Sequence, residues 1–132
     1  LIGEGREHGY QIILHSCGAI HRVIPRLIDM GVDGLHPLQA RARNMDAATL
    51  ARDFAGQVAF VGGIDTQDLL VNASPAEVRA EVESLIRTCG YDGGLVVFPS
   101  NVIQPDTPVG NIIACFHAAR DFDVAALGGR PG

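Results

Sequence analysis

Four times along this chain an apolar run of strand length breaks off in polar or glycine-rich sequence, and a stretch with a helical apolar stripe follows. That alternation confines the fold to an α/β class with a parallel sheet, because parallel strands need long crossovers and a helix is what fills them. The first unit pairs a strand over residues 10–17 with a helix whose positions Ile20, Val23, Ile24, Leu27 and Ile28 share one face and which stops at Gly31. Pro25 either opens that helix late, in its first turn, or kinks it. The second unit has a strand near Val32 to Leu38, then Asp46 as N-cap, then Ala47, Leu50, Ala51 and Phe54 on one face. The third runs from Val58 to Ile64 and on to a capping box, Ser74-Pro75-Ala76-Glu77, ahead of Val78, Val82, Leu85, Ile86 and Cys89. In the fourth, Gly94 to Ser100 leads to a helix opened by Thr107-Pro108, with Ile112, Ile113 and Phe116 expected inward.

Strand starts near residues 10, 33, 58 and 94 have the spacing of successive β/α units in a barrel. Four units make half of a (β/α)8 TIM barrel, whose complete form takes roughly 250 residues. The expectation is a half-barrel over residues 1–122, either a fragment or a chain that closes by association, with a flexible tail at 123–132. A four-stranded doubly wound sheet is the runner-up. It is disfavoured because the first strand is followed by Ser16-Cys17-Gly18-Ala19 in place of a glycine-rich nucleotide fingerprint.

Composition narrows the partners. The chain carries a net charge of -5 with its 10 Lys and Arg scattered, which gives no footprint for nucleic acid or an anionic membrane. No apolar stretch approaches the roughly 20 residues of a membrane span. Three cysteines, an odd number in an α/β pattern, argue for thiols in a reducing compartment, so a cytoplasmic location is expected.

In β/α folds ligands bind at the carboxyl ends of the strands, and here those ends hold the chemistry. They read His15-Ser16-Cys17-Gly18, Leu35-His36-Pro37-Leu38-Gln39, Gly62-Gly63-Ile64-Asp65-Thr66-Gln67 and Phe98-Pro99-Ser100-Asn101-Val102-Ile103-Gln104. The first run, Ile12-Ile13-Leu14, reads as a strand buried on both faces. At its end His15 and Cys17 project to one side of an extended segment, and imidazole with thiolate is a preferred zinc pair. Core packing is the competing role for both. Asp65 is the candidate catalytic residue, holding a substrate hydroxyl or amine or orienting His15, against a plain capping role for the turn over Thr66 to Leu70. Gly63 lets a substrate approach the backbone or serves tight strand-to-loop geometry. His36 either lines the pocket or is a hydrogen-bonded structural residue, and Gln39 is either a substrate contact or a solvated loop residue. Cys89 and Cys115 read as packing, and His8, His21 and His117 as surface residues.

Taken together and in order, His15-Ser16-Cys17-Gly18, Gly31-Val32-Asp33, Gly62-Gly63-Ile64-Asp65-Thr66 and Ile103-Gln104-Pro105-Asp106-Thr107-Pro108 with Asn111-Ile112 are quite specific. The pattern resembles the C-terminal half of the uroporphyrinogen decarboxylase superfamily, (β/α)8 barrels that include the decarboxylase and the cobalamin-dependent methyltransferases. The resemblance runs from about Ile12 to Arg120. Relatives of the true decarboxylase usually carry Asp-Trp, Gly-Asn-Ile/Leu-Asp-Pro and Gly-His-Gly where this chain has Leu35-His36-Pro37, Gly62-Gly63-Ile64-Asp65-Thr66 and Ser100-Asn101-Val102. His-x-Cys-Gly is similar instead to the methyltransferase branch, in which the His and Cys bind zinc. The resemblance thus implies His15 and Cys17 as zinc ligands, and Asn101 at the position where relatives supply a further His or Cys. An amide oxygen is a poor zinc ligand, so the implied site is weak. Gln104 falls on a family position and is either a substrate contact or, with Ile103 and Pro105, a residue that shapes the approach to the last helix; Asn101 is likewise a candidate substrate contact. The implied reaction is methyl transfer between a corrinoid, free or on a corrinoid protein, and a thiol or similar acceptor. Uroporphyrinogen decarboxylation is the alternative. A second alternative is an inactive fragment, or a subunit that completes its barrel with a missing N-terminal half or by self-association.

Overall fold

The structure, a computed structural model, describes residues 1–128. Its centre is a parallel sheet of β1 (Ile13–His15), β2 (Gly34–Leu38), β3 (Ala59–Ile64) and β4 (Leu95–Pro99), ordered β1-β2-β3-β4. A doubly wound sheet reverses its strand order at a switch point, and this sheet does not. Consecutive parallel strands joined by helices are the arrangement of an α/β barrel wall, so the fold is part of a (β/α)8 barrel.

The helices are α1 (Ile2–Glu7), α2 (Ile24–Asp29), α3 (Ala47–Phe54), α4 (Leu69–Asn72), α5 (Pro75–Cys89) and α6 (Val109–Asp121). Their starts follow local chemistry. Asp46 accepts from the Thr49 N–H at 2.9 Å, and Ser74 with Glu77 closes the expected capping box on α5. Of the two outcomes for Pro25, the first holds: a 3-10 turn over His21–Val23 precedes α2, and Pro25 sits in its first turn. Helix α1 was not anticipated. It is tied down by Arg6, which donates to the Gly31 carbonyl and to Asp33, each at 3.0 Å.

One face of the sheet and the helices form the core. Leu14, Leu35, Phe60 and Leu95 are register neighbours across the four strands. Against that face pack Leu50 and Phe54 of α3 and Val78, Val82, Leu85, Ile86 and Cys89 of α5. Pro37 has no N–H to give the ladder, and the β2 to β3 register shifts between Leu35 and Leu38.

The other face is open. Ile13 is 60% exposed, Val96 52% and Phe98 50%, which corrects the expectation that the first strand is buried on both sides. The physical reason is that no described element covers the concave side of the sheet. Helix α6 is corrected as well: it packs on α5 and α4 through Asn111, Ala114, Cys115 and Ala118, so Ile113 and Phe116, expected inward, fall on its uncovered side and are exposed with Val109. Asn111 anchors the helix by donating to the carbonyls of Leu70 and Ala73 at 3.0 and 2.7 Å. In the segment expected as a tail, Val124–Ala126 form a 3-10 turn and Leu127 packs against the core. Residues 129–132 lie outside the described residues.

Candidate active site

The rim at the carboxyl ends of the strands is built from β1 outward. Ser16 N–H still bonds the His36 carbonyl at 2.8 Å, so β1 holds its register with β2 one residue past His15. The chain then turns at Gly18, whose φ of +91° suits glycine, and the Gly18 N–H reaches Gln39 Oε1 at 2.5 Å. Gln39 therefore fastens the loop that carries Cys17. This loop places Cys17 Sγ 3.4 Å from His15 Nε2, as expected for two groups two residues apart on one side of an extended segment.

His15 and His36 are register partners on neighbouring strands, and their rings meet on the open face with Nδ1 atoms 2.8 Å apart. His36 also meets Phe98 edge-on, at 6.2 Å between centroids, across β3. Burial pushes the His36 imidazole below its usual range, and the facing His15 adds to that. Both ring nitrogens of His15 are thus engaged by His36 and Cys17, and Asp65 is not the residue that orients it.

Asp65 sits at the end of β3 and makes two other contacts. Its Oδ1 accepts from the Gln67 N–H at 2.9 Å, the capping role weighed above, and its Oδ2 lies 3.5 Å from Arg41. Arg41 also approaches Asp68 at 3.7 Å. Gly63, with φ of +98°, faces α5 where a Cβ would stand 2.7 Å from Leu85 Cδ2. Backbone conformation and helix packing both require glycine there.

Two of the hollows along this rim adjoin. One of about 470 Å³ is predominantly apolar and is lined by His15, His36, Phe98, Asn101, Val102 and Ile103 among others. The other, of about 270 Å³, is lined by Gln39, Arg41, Gly63, Asp65 and Gln67, and Ser100 and Asn101 belong to both. The structure therefore brings together six of the predicted residues around two adjoining hollows, with Cys17 beside the first through its contact with His15. Gln104 is not among them; it is exposed and donates to the Val102 carbonyl at 3.2 Å. His21 is not a plain surface residue either. It pairs with Asp53 at 2.8 Å and packs on the Phe54 ring.

Sequence reasoning missed Arg41, Ser100 and Phe98. Arg41 stands in a polar loop beside Arg43 with no periodicity to single it out. Ser100, which donates to the Leu38 carbonyl at 2.7 Å and braces β4 to β2, was quoted within a strand-end run without a role. Phe98 heads that same run and likewise carried no role.

The zinc reading has a geometric test. Imidazole nitrogen and thiol sulfur on one tetrahedral ion, with bonds near 2.0–2.1 and 2.3 Å, stand about 3.5 Å apart. The 3.4 Å between His15 Nε2 and Cys17 Sγ fits two such donors. Among the described residues no group of three or more His, Cys, Asp or Glu could hold a metal ion, so His15 and Cys17 stand as a pair of donors and not as a complete ligand set.

Comparison with known proteins adds two findings. The family profile described as uroporphyrinogen decarboxylase (URO-D) matches residues 3–122. Among solved structures, a methyltransferase from Methanosarcina mazei superposes with a TM-score of 0.67 at 20% identity, over 91% of this chain and 34% of that one. The chain thus spans about a third of the length of that methyltransferase. No curated protein matches the chain. Among the described residues no helix is long and apolar enough to cross a membrane.

Proposed function

The chain belongs to the uroporphyrinogen decarboxylase family, and on that premise we propose that it carries part of the rim of a barrel enzyme that transfers a methyl group between a corrinoid and a thiol or similar acceptor. The observation that supports this reading is the His15–Cys17 pair, whose 3.4 Å separation suits zinc, at the strand end where a barrel binds its ligand. A zinc ion held there supplies Lewis acidity that keeps a substrate thiol as its thiolate, the nucleophile this transfer needs at neutral pH. The chain's own residues do the rest. His15 and Cys17 are the donors, and the apolar wall of Phe98, Val102 and Ile103 offers a hollow of low polarity in which an anionic sulfur is a stronger nucleophile than in water. On the adjoining side, Asp65 and Arg41 present paired charges to polar groups of a substrate, with Gln67 and Asn101 beside them.

Decarboxylation of a porphyrinogen needs cationic and hydrogen-bonding groups around the pyrroles and no thiolate. Cys17→Ala in the complete barrel enzyme separates the two reactions. Methyl transfer predicts loss of turnover by several powers of ten. A parent enzyme that decarboxylates uroporphyrinogen, and keeps that rate in Cys17→Ala, contradicts the proposal.

A further inference from the structure

His15 uses its two ring nitrogens on two different partners, and this fixes more than its position. Nδ1 stands 2.8 Å from Nδ1 of His36, and Nε2 stands 3.4 Å from Cys17 Sγ. Two imidazole nitrogens that close share one proton, because two N–H groups would collide and two lone pairs would repel. A neutral imidazole carries one N–H, so the choice made at Nδ1 dictates the state of Nε2.

The contact with Cys17 reveals the direction, although a thiol is too weak a donor to impose it. A thiol is a weak donor and a weaker acceptor, whereas an imidazole lone pair accepts well, so the consistent arrangement runs from Cys17 S–H to His15 Nε2. The single proton of His15 then lies on Nδ1 and is donated to His36. We propose that His36 is a positioning residue that fixes His15 as its Nδ1–H tautomer and so holds the Nε2 lone pair toward Cys17. The scaffold suits that task. His36 is the register partner of His15 on a hydrogen-bonded strand, is followed by the buried Pro37, and has its ring against Phe98. Both imidazoles therefore stand on paired strands, where geometry is better held than on loops.

The inference deepens the zinc reading and rests on it for the use of the freed lone pair, but the tautomer exists without metal. It is tested on the metal-free protein with 15N-labelled imidazoles, by long-range proton–nitrogen correlation at about pH 8, above the usual histidine range. The expected spectrum shows His15 protonated at Nδ1 and His36 at Nε2. His36→Phe keeps a flat ring against Phe98 and removes the acceptor, so His15 should lose the Nδ1–H form. His36→Asn, which restores an acceptor near the same place, should recover it. Zinc affinity, read by chelator competition, should fall 10- to 100-fold in His36→Phe and recover in His36→Asn. A wild-type His15 protonated at Nε2, or an Nδ1–H form that survives His36→Phe, overturns the proposal. The expected tautomers in a protein that binds no zinc would uphold it and remove the metal reading instead.

Discussion

Asp53 illustrates how single residues in this chain depend on their neighbours. The Arg52 guanidinium, and after it the His21 ring, hold its carboxyl at about 2. A carboxylate depressed in the folded state stabilises fully above its ordinary value and loses that contribution as pH falls through the folded one. Asp53→Asn should therefore be less stable than the wild type above about pH 4, with the gap closing as pH approaches about 2; denaturant melts across that window check it. At the rim, Asn101 borders the cavity that also holds His15. Asn101→His adds a proper zinc donor there and should tighten zinc binding in chelator competition, whereas an unchanged affinity would place residue 101 beyond reach of the ion. That His15, Cys17 and Asp65 stand at strand ends was legible, because the apolar runs that precede them are local patterns. What each one touches was not. His36 as the partner of His15 follows from strand register, which no local pattern in the sequence encodes.

Elements were the most readable level, since periodicity and caps are local. Asp46, Ser74 and Glu77 start α3 and α5 where their side chains predict. The failures share a tertiary origin. Ile113 and Phe116 read as inward because they are apolar at helical spacing, and whether such a stripe is covered depends on elements elsewhere. Helix α6 is held instead by Asn111, buried and donating to two carbonyls of the α4 region. Asn111→Ala leaves those carbonyls without their donor and should cost about 1–3 kcal/mol of unfolding free energy by denaturant titration. In β3, Gly63→Ala combines a φ unfavourable for side chains with a 2.7 Å approach to Leu85, and should destabilise by about 1–3 kcal/mol. A tolerated alanine would return Gly63 to the role of a substrate-approach residue.

For the whole molecule, the decisive facts are a four-stranded wall with one face open and a family profile that runs from residue 3 to 122. Ile13, Val96 and Phe98 on that face, with Ile113 and Phe116 on α6, present apolar side chains to solvent. The 132-residue chain by itself should accordingly associate in sedimentation at micromolar concentration, and Phe98→Ser with Phe116→Ser should reduce association. A compact, cooperatively melting monomer would contradict that. The central claim lies at the rim and is tested most directly by X-ray absorption at the zinc edge, on wild type and Cys17→Ser. The account predicts a shell with imidazole nitrogen and one sulfur near about 2.3 Å in the wild type, and loss of that sulfur together with most of the metal in the variant. A sulfur-free shell, or zinc retained in full by Cys17→Ser, would contradict it.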